Sequence, residues 1–257
     1  MEEVDNKMRT IRYLLVLLMT AAIVPCTLAA GVAVGVIGGG GTGSSEPVAV
    51  GSEQTIVASV ANGASSVQFI VYDSRGNEVF ASSPMPVIDG SVSTVWSPPF
   101  ADTFTVWAVS YDEYGGEIDR GQVLLVSAYQ PESQGFITGG GWLEIDGNKR
   151  TFGFVAQVQR NGSLKGSLEY QRHGLGFNVK SYAIDWVYAP NLSEGYFSGW
   201  ATINGEGIYR FYAMVLDSGE PGRSDYFALW VYNADGMLVF ADWGYLSGGN
   251  IMIHANR

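Results

Sequence analysis

Nine consecutive residues, Asp217-Ser218-Gly219-Glu220-Pro221-Gly222-Arg223-Ser224-Asp225, carry three carboxylates. Hard cations such as calcium take oxygen ligands from flexible loops of this kind, so Asp217, Glu220 and Asp225 are the candidate metal ligands and calcium is the cofactor they would hold. The same residues have a structural reading. Gly219 and Pro221-Gly222 set a tight connection between strands, Asp225 accepts N–H groups of the turn, and Arg223 pairs with a neighbouring acid. The spacing is not that of an EF-hand loop.

Aromatic side chains are the second candidate. Trp142, Trp186, Trp200, Trp230 and Trp243 all fall in the C-terminal half, and a Trp or Tyr face with a carboxylate or Asn beside it is a common way to hold a pyranose. Against this, most such residues in a compact β domain line the core or its rim. Catalysis has little to stand on. The histidines are His173 and His254, the lone cysteine is Cys26, and no serine sits in a Gly-x-Ser-x-Gly elbow. Glu144 with Asp146, or Asp185 with Glu194, would serve glycoside hydrolysis only at a defined separation across a cleft. No Lys follows Gly139-Gly140-Gly141, which therefore reads as a close backbone approach or a bulge and not as a phosphate loop. The expectation is a protein that is not an enzyme. Asn161-Gly162-Ser163 and Asn191-Leu192-Ser193 match the N-glycosylation pattern, although Asn161 is already explained as a hairpin residue.

The net charge of -11 argues against nucleic acid, whose affinity for proteins comes from clustered Lys and Arg. The acidity is uneven: in residues 51–130 nine carboxylates face only Arg75 and Arg120. Such a charge keeps an exported surface soluble. The partners it leaves are a surface protein or a glycan.

A membrane contact would come through the N-terminus. Residues 13–37 carry no charge, with Lys7, Arg9 and Arg12 before them and Glu46 after, an asymmetry that places the remainder of the chain outside the membrane. Two readings stand. The run ending at Ala29-Ala30-Gly31 fits a cleaved signal peptide, whereas its continuation to Ile37 is long enough to span a bilayer as an uncleaved anchor. Met8 opens a cleaner basic segment than Met1 does. Cys26 lies inside the apolar run, so the folded part has no disulfide.

The elements that must position these groups are strands. Residues 54–60, 66–72, 78–81, 91–96, 103–110 and 121–128 are short runs rich in Val, Ile, Phe, Thr and Trp between Gly, Pro, Asn or Asp turns. In 103–110, Phe104, Val106 and Ala108 fall on one face and Thr103, Thr105 and Trp107 on the other. A second set reads at 151–159, 163–170, 178–188, 196–203, 208–217, 226–232, 237–241 and 250–255, with Asn161-Gly162 and Asn204-Gly205 as hairpin turns. Several of these are apolar on both faces, so their sheet is covered on both sides or closed. The fold class expected is all-β: two antiparallel sandwich or barrel-like domains after an N-terminal hydrophobic export helix. The divisions are 1–37 (signal peptide or anchor), 38–46 (Gly/Ser-rich linker), 47–129, 130–133 (linker) and 134–257.

Val67-Gln68-Phe69-Ile70-Val71-Tyr72-Asp73, Trp96-Ser97-Pro98-Pro99 and Tyr111-Asp112-Glu113-Tyr114-Gly115 resemble immunoglobulin-like domains of bacterial and archaeal surface proteins. Ile137-Thr138-Gly139-Gly140-Gly141-Trp142-Leu143, Thr151-Phe152-Gly153-Phe154, Tyr209-Arg210-Phe211, the 217–227 loop and Leu246-Ser247-Gly248-Gly249-Asn250-Ile251 together resemble the post-COAP-1 domain. That resemblance implies an extracytoplasmic β module at the end of an exported protein and brings no catalytic residues with it. The function expected is a non-catalytic cell-surface or secreted protein for interaction, adhesion or envelope structure. The alternative is a carbohydrate-binding module using exposed aromatics of the second domain. Self-assembly by donation of the 31–41 segment as a strand ranks last.

Overall fold

The computed structural model describes residues 32–37, 43–44, 46–60 and 63–254, and nearly all of them lie in strands or the turns between. In the first half the strands are β1 (Val32–Ile37), β2 (Gly43–Ser44), β3 (Val48–Ala49), β4 (Gln54–Val60), β5 (Ser66–Tyr72), β6 (Glu78–Ala81), β7 (Met85–Pro86), β8 (Ser91–Trp96), β9 (Asp102–Tyr111) and β10 (Glu117–Tyr129). The second half contains β11 (Gly135–Ile145), β12 (Asn148–Val158), β13 (Leu164–Arg172), β14 (Phe177–Tyr188), β15 (Glu194–Ile203), β16 (Glu206–Leu216), β17 (Tyr226–Tyr232), β18 (Leu238–Tyr245) and β19 (Gly248–His254). Among the described residues no helix is long and apolar enough to cross a membrane.

The first half folds as a β-sandwich. One sheet has the order β1-β4-β8 and the other β2-β10-β9-β5-β6, with β3 added to β10 and β7 to β5. Alternation along each strand sends one side chain in two to the shared core, where Ile56, Phe69, Val71, Trp96, Phe104, Val106 and Leu124 meet. Trp96 packs edge-on against Phe104 with ring centroids 5.1 Å apart. Residues 32–37, grouped by the sequence with the export segment, instead form β1, which runs parallel to β4 from Val32 beside Thr55 to Ile37 beside Val60. In Val32-Ala33-Val34-Gly35-Val36-Ile37 β-branched residues alternate with Ala and Gly, a pattern that suits a strand. The rest of the export segment, residues 1–31, lies outside the described residues. The expected linker also contributes a strand, since Gly43–Ser44 pairs with β10.

The second half is a single antiparallel sheet of nine strands, β18-β17-β16-β15-β14-β13-β12-β11-β19, curled into a half-barrel. Asn204 and Gly205 turn β15 into β16 with φ of 53° and 78°, both in the left-handed region that a two-residue hairpin requires. The concave side holds Phe152, Phe154, Phe197, Phe211 and Phe227. Phe152 and Phe227 stack at 4.2 Å and Phe154 lies 4.8 Å from Phe197, ring contacts worth about 0.5–1.5 kcal/mol each beyond their burial. β11 threads this crowd only because it is rich in glycine. A Cβ on Gly139 would lie 2.5 Å from Phe154 Cζ and 3.0 Å from Ile251 Cγ1.

A charged knot is enclosed beside the aromatic core. Tyr170 Oη of β13 donates to Asp242 Oδ2 of β18 at 2.5 Å. Arg150 and Arg172 approach the same carboxylate at 3.5 and 3.6 Å. Burial and the neighbouring carboxylate push the Tyr170 phenol far above its ordinary range. The knot ties edge strand β18 to β12 and β13 across the concave side.

The sandwich sits on the convex side of β11–β13. Thr103 N–H donates to Ser167 Oγ at 2.8 Å, Ser167 Oγ donates to Asp102 Oδ1 at 2.5 Å, and Gln171 Nε2 donates to Gln122 Oε1 at 2.9 Å. This contact buries both faces of β9 at its start, leaving Thr103 and Thr105 only 1% and 5% exposed. Small residues let the sheets approach: a Cβ on Gly153 would lie 2.8 Å from Ser127 Oγ and 3.0 Å from Leu125 Cδ2.

Candidate functional site

The three carboxylates of the 217–225 loop do converge, but on N–H groups. Among the described residues strand β19 pairs with β11 alone, so the N–H groups on its other edge have no described strand to receive them. Asp225 accepts Ile251 N–H through Oδ2 and Ser218 N–H through Oδ1, both at 2.8 Å. Asp217 accepts Ile253 N–H at 3.2 Å and Gly219 N–H at 3.0 Å. Glu220 Oε1 accepts Asn250 Nδ2 at 2.5 Å. The carboxylates thus cover the open side of β19 in place of a neighbouring strand. Burial, with the charges of Asp217 and Glu220 added, pushes the Asp225 carboxyl up to about 7, against the two N–H donors that pull it down. Burial likewise raises Asp217. Among the described residues no three acidic or histidine side chains form a group fit to hold a metal ion. The residues expected to be calcium ligands are joined here as an edge cover. Arg223 makes no ion pair among the described residues.

The remaining convex surface, over β14–β18, has no sandwich on it and is aromatic. Strand register sets Tyr188, Tyr196, Met214, Ala228 and Trp243 side by side across five strands, with Trp186, Ser198, Tyr212, Trp230 and Ala241 in the next row. Trp200, Arg210, Tyr232 and Leu238 continue the pattern. Trp186, Trp200 and Trp243 are 45%, 38% and 56% exposed, and Trp142 and Trp230 are half-buried. None of the five tryptophans is fully buried, and Trp230 packs against the buried cluster of Tyr196, Met214 and Ala228. Trp186 and Tyr188 stack at 5.9 Å, and Tyr188 and Tyr196 at 6.3 Å.

At the middle of this surface Arg210 lies 5.1 Å from the Trp200 ring centroid and 5.3 Å from that of Tyr212. Its guanidinium is ion-paired with Asp185 and donates to Ser198 Oγ at 2.9 Å. Ser198 Oγ in turn donates to Asp185 Oδ1 at 3.2 Å. The guanidinium plane is thereby fixed between two rings with its charge neutralised. The arrangement offers flat apolar faces, phenol hydroxyls and one compact polar fork. Sequence reasoning named the tryptophans as candidates and quoted Arg210 only within a family resemblance, and it did not single out Tyr188 or Tyr212. The period-2 alternation of β14–β16, extended across the hairpins, is the signal that would have aligned them.

The other candidates are dispersed. Asp185 is taken up by Arg210, while Glu194 bonds Tyr196 at the end of β15. His173 is bonded to Thr151 Oγ1 at 2.8 Å, and burial and the charges of Lys149 and Arg150 lower its affinity for a proton. His254 stacks on Phe136 at 4.3 Å. Asn161 and Asn191 are exposed, and each accepts the N–H of the serine two residues on, at 3.0 and 2.8 Å.

A cleft of about 590 Å³ opens where the sandwich meets the half-barrel, between the β5–β6 turn and the outward side of β13–β15. Arg75, Phe100 and Asp102 line it from one side and Lys165, Lys180 and Tyr182 from the other. Neither Glu144 and Asp146 nor Asp185 and Glu194 face into it. Comparison with protein-family models, curated proteins and solved structures gives no match to this chain.

Proposed function

We propose that this protein is a non-catalytic binding protein of the cell exterior, and that its ligand is an uncharged glycan held on the aromatic surface of β14–β18. The observation that carries the reading is the setting of Arg210, fixed by Asp185 and Ser198 between the Trp200 and Tyr212 rings. A sugar ring is amphipathic in the same way, with an apolar C–H face and hydroxyls at its rim. Charge favours a neutral ligand, since Asp185 and Arg210 cancel and the chain as a whole is acidic. Contiguous exposed aromatic surface marks interaction sites in soluble proteins. The extracytoplasmic location rests on the Lys7, Arg9 and Arg12 asymmetry and on the resemblance of the second half to the post-COAP-1 domain. The immunoglobulin-like reading of the first half makes it the spacer that presents this surface.

The test is binding of the purified protein to a glycan array and to insoluble neutral polysaccharides, alongside Trp186→Ala and Trp200→Ala. Each substitution is expected to weaken retention about tenfold, as loss of one stacking contact of roughly 1.4 kcal/mol would do, with an unchanged melting temperature. No signal above background on either support, with a self-associating protein in sedimentation, would assign the surface to a second copy of the chain instead.

A further inference from the structure

The cleft between the two domains is lined by three cations, Arg75, Lys165 and Lys180, and by two carboxylates, Asp73 and Asp102. Arg75, Lys165 and Lys180 come from three separate parts of the chain to line it. Of the two cations in residues 51–130, Arg120 is paired with Glu117 at 3.1 Å, whereas Arg75 faces the cleft and makes no direct ion pair among the described residues, its charge acting on Asp73 at longer range. Lys165 makes none either, and its ammonium lies 5.4 Å from the Phe100 ring centroid. Lys180 is paired with Glu169 at 3.6 Å.

The carboxylates at the cleft wall are already engaged. Asp102 accepts Ser74 N–H and Oγ–H at 3.2 and 2.8 Å, Thr103 N–H at 2.8 Å and Ser167 Oγ–H at 2.5 Å. Asp73 accepts Arg75 and Asn77 N–H groups at 2.9 and 2.8 Å and Asn77 Nδ2 at 2.9 Å. The hydrogen bonds between the domains run between Thr103, Asp102 and Ser167 and between Gln122 and Gln171, and of the three cations Lys165 reaches across to the Phe100 ring. Among the described residues the guanidinium and the ammonium on opposite walls of this cleft have no carboxylate within direct ion-pair distance, which leaves a place for an oxyanion from outside.

We propose that this cleft binds a carboxylate carried on a sugar-sized ligand, with Arg75 and Lys165 on the carboxylate and Lys180 beside them. The volume is in the range of small-molecule sites. Tyr182, 58% exposed on the cleft wall, supplies a ring face and a hydroxyl for the remainder of the ligand. The proposal does not depend on glycan binding by the aromatic surface, since the two sites share no residue. They are nonetheless adjacent: Thr202 lines the cleft, and Trp200 lies two residues before it on the outward side of β15.

The experiment is a titration of the 15N-labelled chain at fixed ionic strength with sodium glucuronate, sodium acetate and neutral methyl glucoside, followed at the amides of Ser74, Gly166 and Thr202. Glucuronate is expected to move these amides saturably and methyl glucoside to leave them in place. Arg75→Ala combined with Lys165→Ala, both at exposed positions, is expected to weaken the glucuronate response about tenfold or more without changing the melting temperature. Tighter binding of a galacturonate oligomer than of glucuronate assigns the carboxylate to a glycan. Equal binding of acetate and glucuronate assigns it to a free organic acid. Absence of saturable shifts with either acid, or shifts undiminished in the double variant, overturns the proposal.

Discussion

Asp242→Asn tests the charged knot inside the half-barrel. Arg150 is 2% exposed, and its Nε and Nη1 have no hydrogen-bond acceptor, so attraction to Asp242 is the main term offsetting the burial of its charge. Asparagine keeps the size and an acceptor for Tyr170 but removes that charge, leaving a guanidinium uncompensated. Breaking a buried pair from one side costs about 3–5 kcal/mol. For a chain of this size each kcal/mol lowers the melting temperature by about 2–4 °C, so the variant should melt roughly 6–20 °C below the parent. Calorimetry reads the shift directly. Adding Arg150→Met to Asp242→Asn replaces the pair with an apolar chain of similar length and should recover most of the loss. A single variant melting within about 2 °C of the parent, or a double variant no more stable than the single, would refute the reasoning.

Three further outcomes are expected. Because the folded Asp225 carboxyl sits at about 7 and its unfolded value is 3.8, the stability it contributes is complete below about pH 4 and is lost as the pH rises through 7. The stability of the parent relative to Asp225→Asn should therefore fall between pH 4.5 and 7.5, by up to about 4 kcal/mol in urea titrations, and a pH-independent difference would contradict this. Gly139→Ala drives a methyl into Phe154 and should cost about 1–3 kcal/mol, detectable as a lowered urea midpoint at constant m-value. With Asp217, Glu220 and Asp225 spent on N–H groups, calcium and chelator should give the same melting curve.

Strand positions were legible where branched and aromatic residues alternate between turns: β4, β5, β6, β8 and β17 begin and end where the pattern does. β11 was not, because Gly139-Gly140-Gly141 lacks β propensity, and Gly139 is there for the Phe154 ring that crosses it. β1 was hidden for the opposite reason, since its apolar residues continue an uncharged run and share its hydropathy. Burial of Thr103 and Thr105 depends on a partner domain that local alternation does not encode. The tryptophans were visible as types, but their exposure followed from register across five strands. That the 217–225 carboxylates accept N–H groups of β19 could not be read from the loop, because the open edge of that strand is invisible in one dimension.

The nine-stranded sheet separates two kinds of position along the same strands. On β14–β17 the concave side chains, such as Ile184, Phe197, Phe211 and Leu229, hold the core. Their neighbours Trp186 and Tyr212 lie exposed on the outward side, where Ser198 is buried under Arg210 and Trp230 packs on the small cluster of Tyr196, Met214 and Ala228. The two sets are insulated by the pleat, so the outward row can be rewritten while the fold is inherited unchanged. Randomising the exposed positions of that row, Trp186 and Tyr212, would turn the half-barrel into a library scaffold with its contact surface set by register. The sandwich beneath β11–β13 would serve as its fixed handle.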